Sequence, residues 1–130
     1  MKVLVQVTAI MLVILLMSCE SKDKEIETLK TETMAVHDEV MPKMDDIMKL
    51  KKSLKEIEDS TAQDEIMKLV VALEEADKAM MNWMRNYDPK MEGMTDDEKI
   101  EYLKNKKASI EKVSEQMKSS ISASERYLKK

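Results

Sequence analysis

The sequence predicts an all-α protein, an elongated antiparallel three-helix bundle with coiled-coil-like packing that follows a cleaved signal peptide. The 130 residues include one Gly, two Pro and no Phe, whereas β-sandwiches, phosphate-binding loops and doubly wound sheets need glycine at tight turns and close backbone approaches. Charged residues make up 37% of the chain, and apolar residues beyond position 25 recur at spacings of three and four, the period of an amphipathic helix. About 112 residues remain after the signal peptide, enough for one small domain.

The first helix is expected over about residues 25–58. Its apolar and weakly polar positions form three columns at seven-residue spacing, which together make a broad buried face. The columns are Met34-Met41-Met48, His37-Met44-Lys51 and Val40-Ile47-Leu54. Pro42 lies within this pattern and has no amide hydrogen. We therefore expect the helix either to kink one turn before Pro42 or to restart with Pro42 in its first turn.

The second helix is expected over about residues 62–87. Asp59-Ser60-Thr61 interrupts the apolar periodicity before it. Ser60 and Thr61 also precede Gln63 and Asp64 by three positions, which is the spacing of a capping box. We therefore expect a short turn here, capped by a hydroxyl side chain.

The third helix is expected over about residues 96–128. Thr95 and Glu98 have the spacing of a second capping box, and the acidic first turn suits the helix dipole. The segment Ser119–Ser124 is poor in apolar residues, so we expect the end of this helix to fray. Because the connections are short, neighbouring helices should be antiparallel.

The amino terminus has the layout of a secretory signal peptide. Lys2 precedes an apolar run over residues 3–17, which is shorter than the roughly 20 residues that cross a bilayer. The sequence Leu16-Met17-Ser18-Cys19 resembles the lipobox of bacterial lipoproteins. The resemblance implies that Cys19 receives a diacylglycerol thioether, that residues 1–18 are removed, and that the new amino group is acylated. The alternative is a free Cys at the end of an ordinary signal peptide.

A lipidated Cys19 would hold the mature chain at a membrane surface, because two or more acyl chains anchor stably where one chain does not. Residues 19–24 would then form a short polar tether before the helical bundle of residues 25–130. We expect the protein in the cell envelope, at the outer membrane facing the periplasm. The mature chain has 21 basic and 26 acidic residues once Lys2 is removed, a net charge of −5, and an acidic domain is a poor binder of nucleic acid.

Methionine is the most distinctive residue, with 14 in the chain and 11 after the signal peptide. If the first turn is centred near residue 60, antiparallel helices place Met41 opposite Met80 and His37 opposite Trp83 and Met84. Thioethers and one imidazole are the ligands that Cu(I) prefers. The sequence thus indicates a candidate metal site of His37, Met41, Met80 and Met84, which Trp83 could cap by a cation–π contact.

The competing interpretation of these methionines is a packed or adaptable apolar face. Methionine is a flexible, polarisable core filler, and a stripe of it at helical spacing is typical of a core or a partner-binding surface. The grouping of Met, His and Trp is similar to that of small periplasmic copper chaperones, although those proteins are β-barrels.

An enzymatic function is not expected from these residues. The chain has one His and one Cys, and lipidation would consume the Cys, so no nucleophile and base can be paired. The lysine-rich runs 49–52 and 104–107 are expected on solvated faces, where they pair with acids one turn away on the same helix.

Two segments resemble a group of small helical lipoproteins from Bacteroidota that are commonly labelled "viral A-type inclusion protein". They are His37-Asp38-Glu39-Val40-Met41-Pro42-Lys43-Met44 and Met80-Met81-Asn82-Trp83-Met84. The resemblance covers roughly Met34 to Asp88 and implies an envelope lipoprotein with no enzymatic activity.

Two functions follow as hypotheses. The first is a non-catalytic, membrane-anchored envelope lipoprotein that presents a Met-rich helical face to a protein partner or to a second copy of itself. The alternative is periplasmic Cu(I) binding by the His/Met cluster.

Overall fold

The computed structural model describes residues 2–58 and 61–129, with side chains from residue 21 onward. Four helices make up almost all of this part of the chain. They are α1 (Lys2–Val40), α2 (Lys43–Lys55), α3 (Gln63–Arg85) and α4 (Asp96–Leu128). The predicted all-α class is confirmed, and no strand occurs among the described residues.

Helix α1 extends further toward the amino terminus than expected. It begins at Lys2, so residues 19–24, expected as a tether, are helical, and no Gly or Pro before Pro42 interrupts the helix. The side chains before residue 21 are outside the described part of the chain. The signal peptide over residues 1–18 and the lipid on Cys19 therefore stay predictions. Among the side chains that are described, no helix is apolar enough over a sufficient length to cross a bilayer.

Pro42 divides the first predicted helix into α1 and α2. It lies at the N-cap of α2 with a φ of −61° and a ψ of −22°. The amides of Met44 and Asp45 reach back only three residues, to the carbonyls of Met41 and Pro42 at 3.1 and 3.3 Å. The helix therefore restarts at Pro42, because proline has no amide hydrogen to continue the i to i−4 ladder.

The start of α3 differs from the expected capping box. Its N-cap is Ala62, which makes no side-chain hydrogen bond to the helix, so the predicted cap at Thr61 is wrong by one position. The other predicted cap, Ser60, lies outside the described residues. The helix ends at Arg85 rather than Tyr87. Acidic residues Asp64 and Glu65 in the first turn favour this start through the helix dipole.

The start of α4 matches the prediction. The Thr95 hydroxyl accepts a hydrogen bond from the Glu98 amide, and the Glu98 carboxylate accepts one from the Thr95 amide at 2.7 Å. The Thr95 amide and hydroxyl hold the pKa of the Glu98 carboxyl below its ordinary value, because hydrogen bonds to the charged form favour ionisation. The capping box fixes where α4 begins.

The connection between α3 and α4 contains a buried turn. Met91 has a φ of 50° and Gly93 a φ of 80°, both in the left-handed region that non-glycine residues rarely adopt. Met91 is nevertheless almost fully buried. It packs in a small cluster with Ile26, Leu29, Ile100 and Leu103, and this burial offsets the backbone strain.

Helix α4 runs parallel to α1, and ion pairs join the two helices in the same order along both. The pairs are Lys22–Asp97, Glu25–Lys104, Glu32–Lys107 and Glu39–Lys118. Glu25, Glu32 and Glu39 are seven residues apart, so they share one edge of α1. Lys104 and Lys107 thus form ion pairs with α1, a partner that periodicity did not predict, whereas Lys52 of the first lysine-rich run pairs with Glu56 one turn away at 3.9 Å, as expected.

Helix α3 runs antiparallel to both neighbours, and the main core lies where α2, α3 and α4 meet. Ile47, Leu54, Leu73, Ile110 and Met117 in this core are fully buried. The coiled-coil character of the packing stays a prediction.

The carboxyl-terminal part of α4 is packed rather than frayed. Ser114, Ser120 and Ser124 are buried, and α4 stays helical to Leu128. The Ser120 and Ser124 hydroxyls donate to the carbonyls of Met117 and Ser120 at 3.0 and 2.9 Å. These small side chains satisfy their own hydrogen bonds and leave room for close helix contact, so the expectation of fraying is wrong.

One buried hydroxyl in α1 has no hydrogen-bond partner. Thr33 is fully buried, and its Oγ1 meets neither a donor nor an acceptor. By contrast, the exposed Thr31 hydroxyl donates to the Glu27 carbonyl at 2.9 Å.

We expect Thr33→Val to raise the free energy of unfolding by about 1 kcal/mol, because a methyl group replaces an unsatisfied buried hydroxyl of the same shape. Urea denaturation of the full chain in detergent measures this change. The matched control, Thr31→Val at an exposed position, should change stability by less than about 0.5 kcal/mol. Equal effects of the two substitutions would contradict the prediction.

Candidate functional site

Trp83 joins three helices at one point. It projects from α3 with only 7% of its surface exposed. Its indole Nε1 donates to the Lys106 carbonyl at 3.1 Å and to the Ser109 hydroxyl at 3.0 Å, both on α4. Its ring stacks on the imidazole of His37 from α1, with the centroids 5.7 Å apart. The predicted contact between His37 and Trp83 is present, and the anchoring to α4 was not foreseen.

The stack continues beyond Trp83. The ring of Tyr87 lies 4.9 Å from Trp83 at an interplanar angle of 14°, and Tyr102 lies 6.4 Å from Tyr87. Lys106 Nζ lies 5.4 Å from the centroid of the Tyr102 ring, in reach of a cation–π contact. Burial, with a smaller contribution from Tyr102, raises the pKa of the Tyr87 hydroxyl, because an apolar setting disfavours the phenolate.

Tyr102 also fixes the end of α3. Its hydroxyl accepts a hydrogen bond from the Asp88 amide at 2.6 Å and donates to the Asn86 carbonyl at 3.4 Å. The stack therefore holds the register of α3 against both α1 and α4. Sequence periodicity did not reveal this role, because Tyr87 lies beyond the end of α3 and Tyr102 lies 15 positions later, on α4.

The proposed ligand residues of the metal site differ in their access to solvent. Met80 is fully buried in the core, Met84 is half-buried, and Met41 is exposed at the turn between α1 and α2. His37 Nδ1 lies 2.9 Å from Asp38 Oδ1, and a neutral imidazole that donates there keeps its Nε2 lone pair for a ligand. Among the described residues, no three His, Cys, Asp or Glu side chains group closely enough to hold a metal ion. This finding does not concern sites made of methionine thioethers.

A second feature is a set of exposed apolar side chains on α2, on α3 and at the turn between α1 and α2. We call it the methionine seam. It consists of Met41, Met48, Met67, Val71 and Met81.

Ion pairs between α2 and α3 show which edge of α3 borders α2. The Glu74 carboxylate of α3 lies 3.4 Å from Lys51 Nζ and 3.3 Å from Lys55 Nζ of α2. Both lysines hold the pKa of the Glu74 carboxyl below its ordinary value. Met67 and Met81 stand seven residues before and after Glu74, so they share its edge of α3.

The α2 side of the seam follows from the same geometry. Met48 precedes Lys51 by three residues and Lys55 by seven, so these three residues share one edge of α2. At the turn between the helices, a shallow cavity of about 130 Å³ is lined by Leu54 and Lys55 of α2 and by Met67 of α3. The edges of α2 and α3 therefore border each other along the seam.

Sequence periodicity did not predict the seam, because it identifies the buried face of α3 and not the residues that border that face. Met67, Val71 and Met81 each follow a buried residue directly, at Ile66, Val70 and Met80. The signal for the seam in the sequence is therefore this set of apolar residues, each directly after a residue of the buried face. These residues turn about 100° away from the core, which places them at its margin.

We expect Trp83→Ala to lower the free energy of unfolding by about 3 kcal/mol or more, because it removes a buried aromatic ring and both hydrogen bonds to α4. Trp83→Phe keeps most of the apolar contact and should cost less than the Ala variant. Urea denaturation of the full chain measures both. An unchanged midpoint for Trp83→Ala would contradict the anchoring role of Trp83.

The two features differ in what they offer to other molecules. The aromatic stack is largely internal and holds the helices in register, whereas the methionine seam reaches solvent. The seam is therefore the candidate functional surface. No protein-family model, curated protein or solved structure matches this chain.

Proposed function

We propose that this protein is a non-catalytic, lipid-anchored lipoprotein of the bacterial cell envelope whose methionine seam binds another protein chain. The partner is a second copy of the chain or a different envelope protein. Six large hydrophobic residues are exposed in the described part of the chain, and five of them form the seam, Leu128 being the sixth. This concentration on one surface is the main support for the proposal, because contiguous exposed apolar patches mark interaction sites.

The chemistry of the seam suits an adaptable protein contact. Methionine side chains are unbranched and polarisable, so they fit partner surfaces of different shapes. The Lys51, Lys55 and Glu74 ion pairs lie between the apolar residues and offer polar contacts that orient a partner. The seam therefore offers apolar contacts on either side of a group of paired charges.

The lipobox supports the envelope location. With Cys19 lipidated, the helical backbone of α1 would carry Met41 about 30 Å from the anchor at 1.5 Å per residue. The seam of an upright chain would then stand beyond the lipid headgroups, within reach of other proteins. The resemblance to small helical lipoproteins of Bacteroidota agrees with this placement, at the outer membrane facing the periplasm.

We expect the full chain in detergent micelles to associate with itself or to capture a protein from envelope extract. Replacing Met48 and Met67 together by Lys should weaken that association by at least about tenfold, because an ammonium group in an apolar contact is costly to desolvate. Size-exclusion chromatography with light scattering and pull-down assays measure the association.

The matched control replaces Ser119 and Ser122 of α4 by Lys, which adds the same charge at exposed positions outside the seam. It should associate as the parent does. Equal association of the Met48 and Met67 variant would contradict the role of the seam. A monomer that captures nothing would contradict the proposed function.

Cu(I) binding is the second candidate function. The observation that favours it is the stacking of the His37 imidazole on Trp83. Of the three methionines in the proposed ligand set, Met80 and Met84 lie within one turn of Trp83 on α3, and Met41 lies four residues after His37, just beyond the end of α1. Thioethers and an imidazole form a soft ligand set that suits Cu(I).

If this candidate holds, His37→Ala and Met41→Leu should each weaken Cu(I) binding by at least about tenfold, since each removes one ligand. Titration of the full chain under reducing conditions measures the affinity, and the fluorescence of Trp83 reports a nearby ion. Met67→Leu, at the other end of the seam, is the control that should bind as the parent does. Unchanged affinity in both ligand variants would exclude the candidate.

A further inference from the structure

The described methionines fall into separate classes by solvent access. Three are almost completely buried, with at most 2% of their surface exposed, at Met80, Met91 and Met117. Four are half-buried, at Met34, Met44, Met84 and Met94. The remaining four are exposed, Met48 and Met67 at 61%, Met81 at 38% and Met41 at 36%. All four exposed methionines belong to the methionine seam.

Exposed thioethers are open to two-electron oxidation. The sulfur lone pair attacks one oxygen of a peroxide, the O–O bond breaks, and an S–O bond forms. The sulfur loses two electrons and becomes a sulfoxide, while the peroxide is reduced to water or an alcohol after it takes up a proton. The product is polar where the thioether was apolar, and its formation follows exposure.

We propose that Met41, Met48, Met67 and Met81 form a modification site for peroxides, at which oxidation turns the methionine seam from an apolar to a polar surface while the fold stays intact. The site selectivity follows from solvent access alone. Its consequence for binding rests on the proposed function of the seam. A partner that buries the seam would have to desolvate four sulfoxides in place of four thioethers.

The fold tolerates this change because the oxidised side chains are outside the core. Met80 and Met117, which pack in the main core, are shielded from solvent. Met91, which packs in the smaller cluster, is shielded as well. The chain has a single Cys, and a lipidated Cys19 would leave no thiol to compete with the thioethers for oxidant.

The first measurement is the rate of oxidation at each methionine. The folded full chain in detergent is treated with hydrogen peroxide, digested, and analysed by peptide mass spectrometry. We expect Met48 and Met67 to form sulfoxide at least on the order of ten times faster than Met80, Met91 and Met117. Circular dichroism should give the same thermal midpoint before and after the seam is oxidised. Equal rates at exposed and buried methionines, or loss of helicity as Met48 and Met67 react, would overturn the proposal.

The second measurement is the association of the oxidised chain. We expect peroxide to weaken the association of the parent by at least about tenfold. A variant with Leu at positions 41, 48, 67 and 81 keeps the seam apolar and helical, so it should associate but not respond to peroxide. Replacing Met48 and Met67 by Gln adds polarity without oxidant and should weaken association in untreated protein.

The outcomes separate the inference from the proposed function. If the parent associates and its association is unchanged when the four methionines are sulfoxides, the seam binds its partner but oxidation does not control it, and the inference is wrong. If the untreated parent associates with nothing, the proposed function is wrong, and the relative rates of oxidation still decide whether the four methionines form a selective modification site.

Discussion

The position of the Trp83 indole is the constraint on which the rest of the structure depends. One ring lies against His37 of α1 and donates two hydrogen bonds to α4 while it projects from α3. These directed contacts fix the rotation of α3 about its axis, because a stacked ring with a bonded N–H tolerates little displacement. The same rotation that buries Met80 places Met81 at the surface. The exposure of Met81 is therefore a direct consequence of how Trp83 is held.

Ion pairs between α1 and α4 favour one alignment of these two helices along their axes. Glu25, Glu32 and Glu39 recur every seven residues on α1 and meet lysines of α4 in the same order along the chain. Each exposed pair contributes little to stability, but three pairs in the same order along both helices favour the parallel direction over the antiparallel one. A composition rich in lysine and glutamate thus serves to align these two helices.

The methionine seam is the part of the surface that folding alone does not explain. Apolar side chains that leave between 36% and 61% of their surface in solvent contribute less packing energy than core residues, and polar residues at those positions are compatible with a helix. Their alignment beside Glu74 and its two lysines makes a surface that suits a flexible apolar contact. The same solvent exposure makes the methionines of the seam accessible to peroxide. Exposure therefore underlies both the proposed binding of a partner and the proposed control of that binding by oxidation.

Much of the fold follows from local chemistry that a sequence records directly. The scarcity of glycine determined an all-α chain, Pro42 determined the break between α1 and α2, and Thr95 determined the start of α4. Equal rise along antiparallel helices was enough to place His37 opposite Trp83. Only the tertiary structure decided that Lys107 pairs with α1 and that Ser124 is buried. Periodicity identifies which residues share a helix face, whereas the helix that covers that face depends on how all the helices pack together.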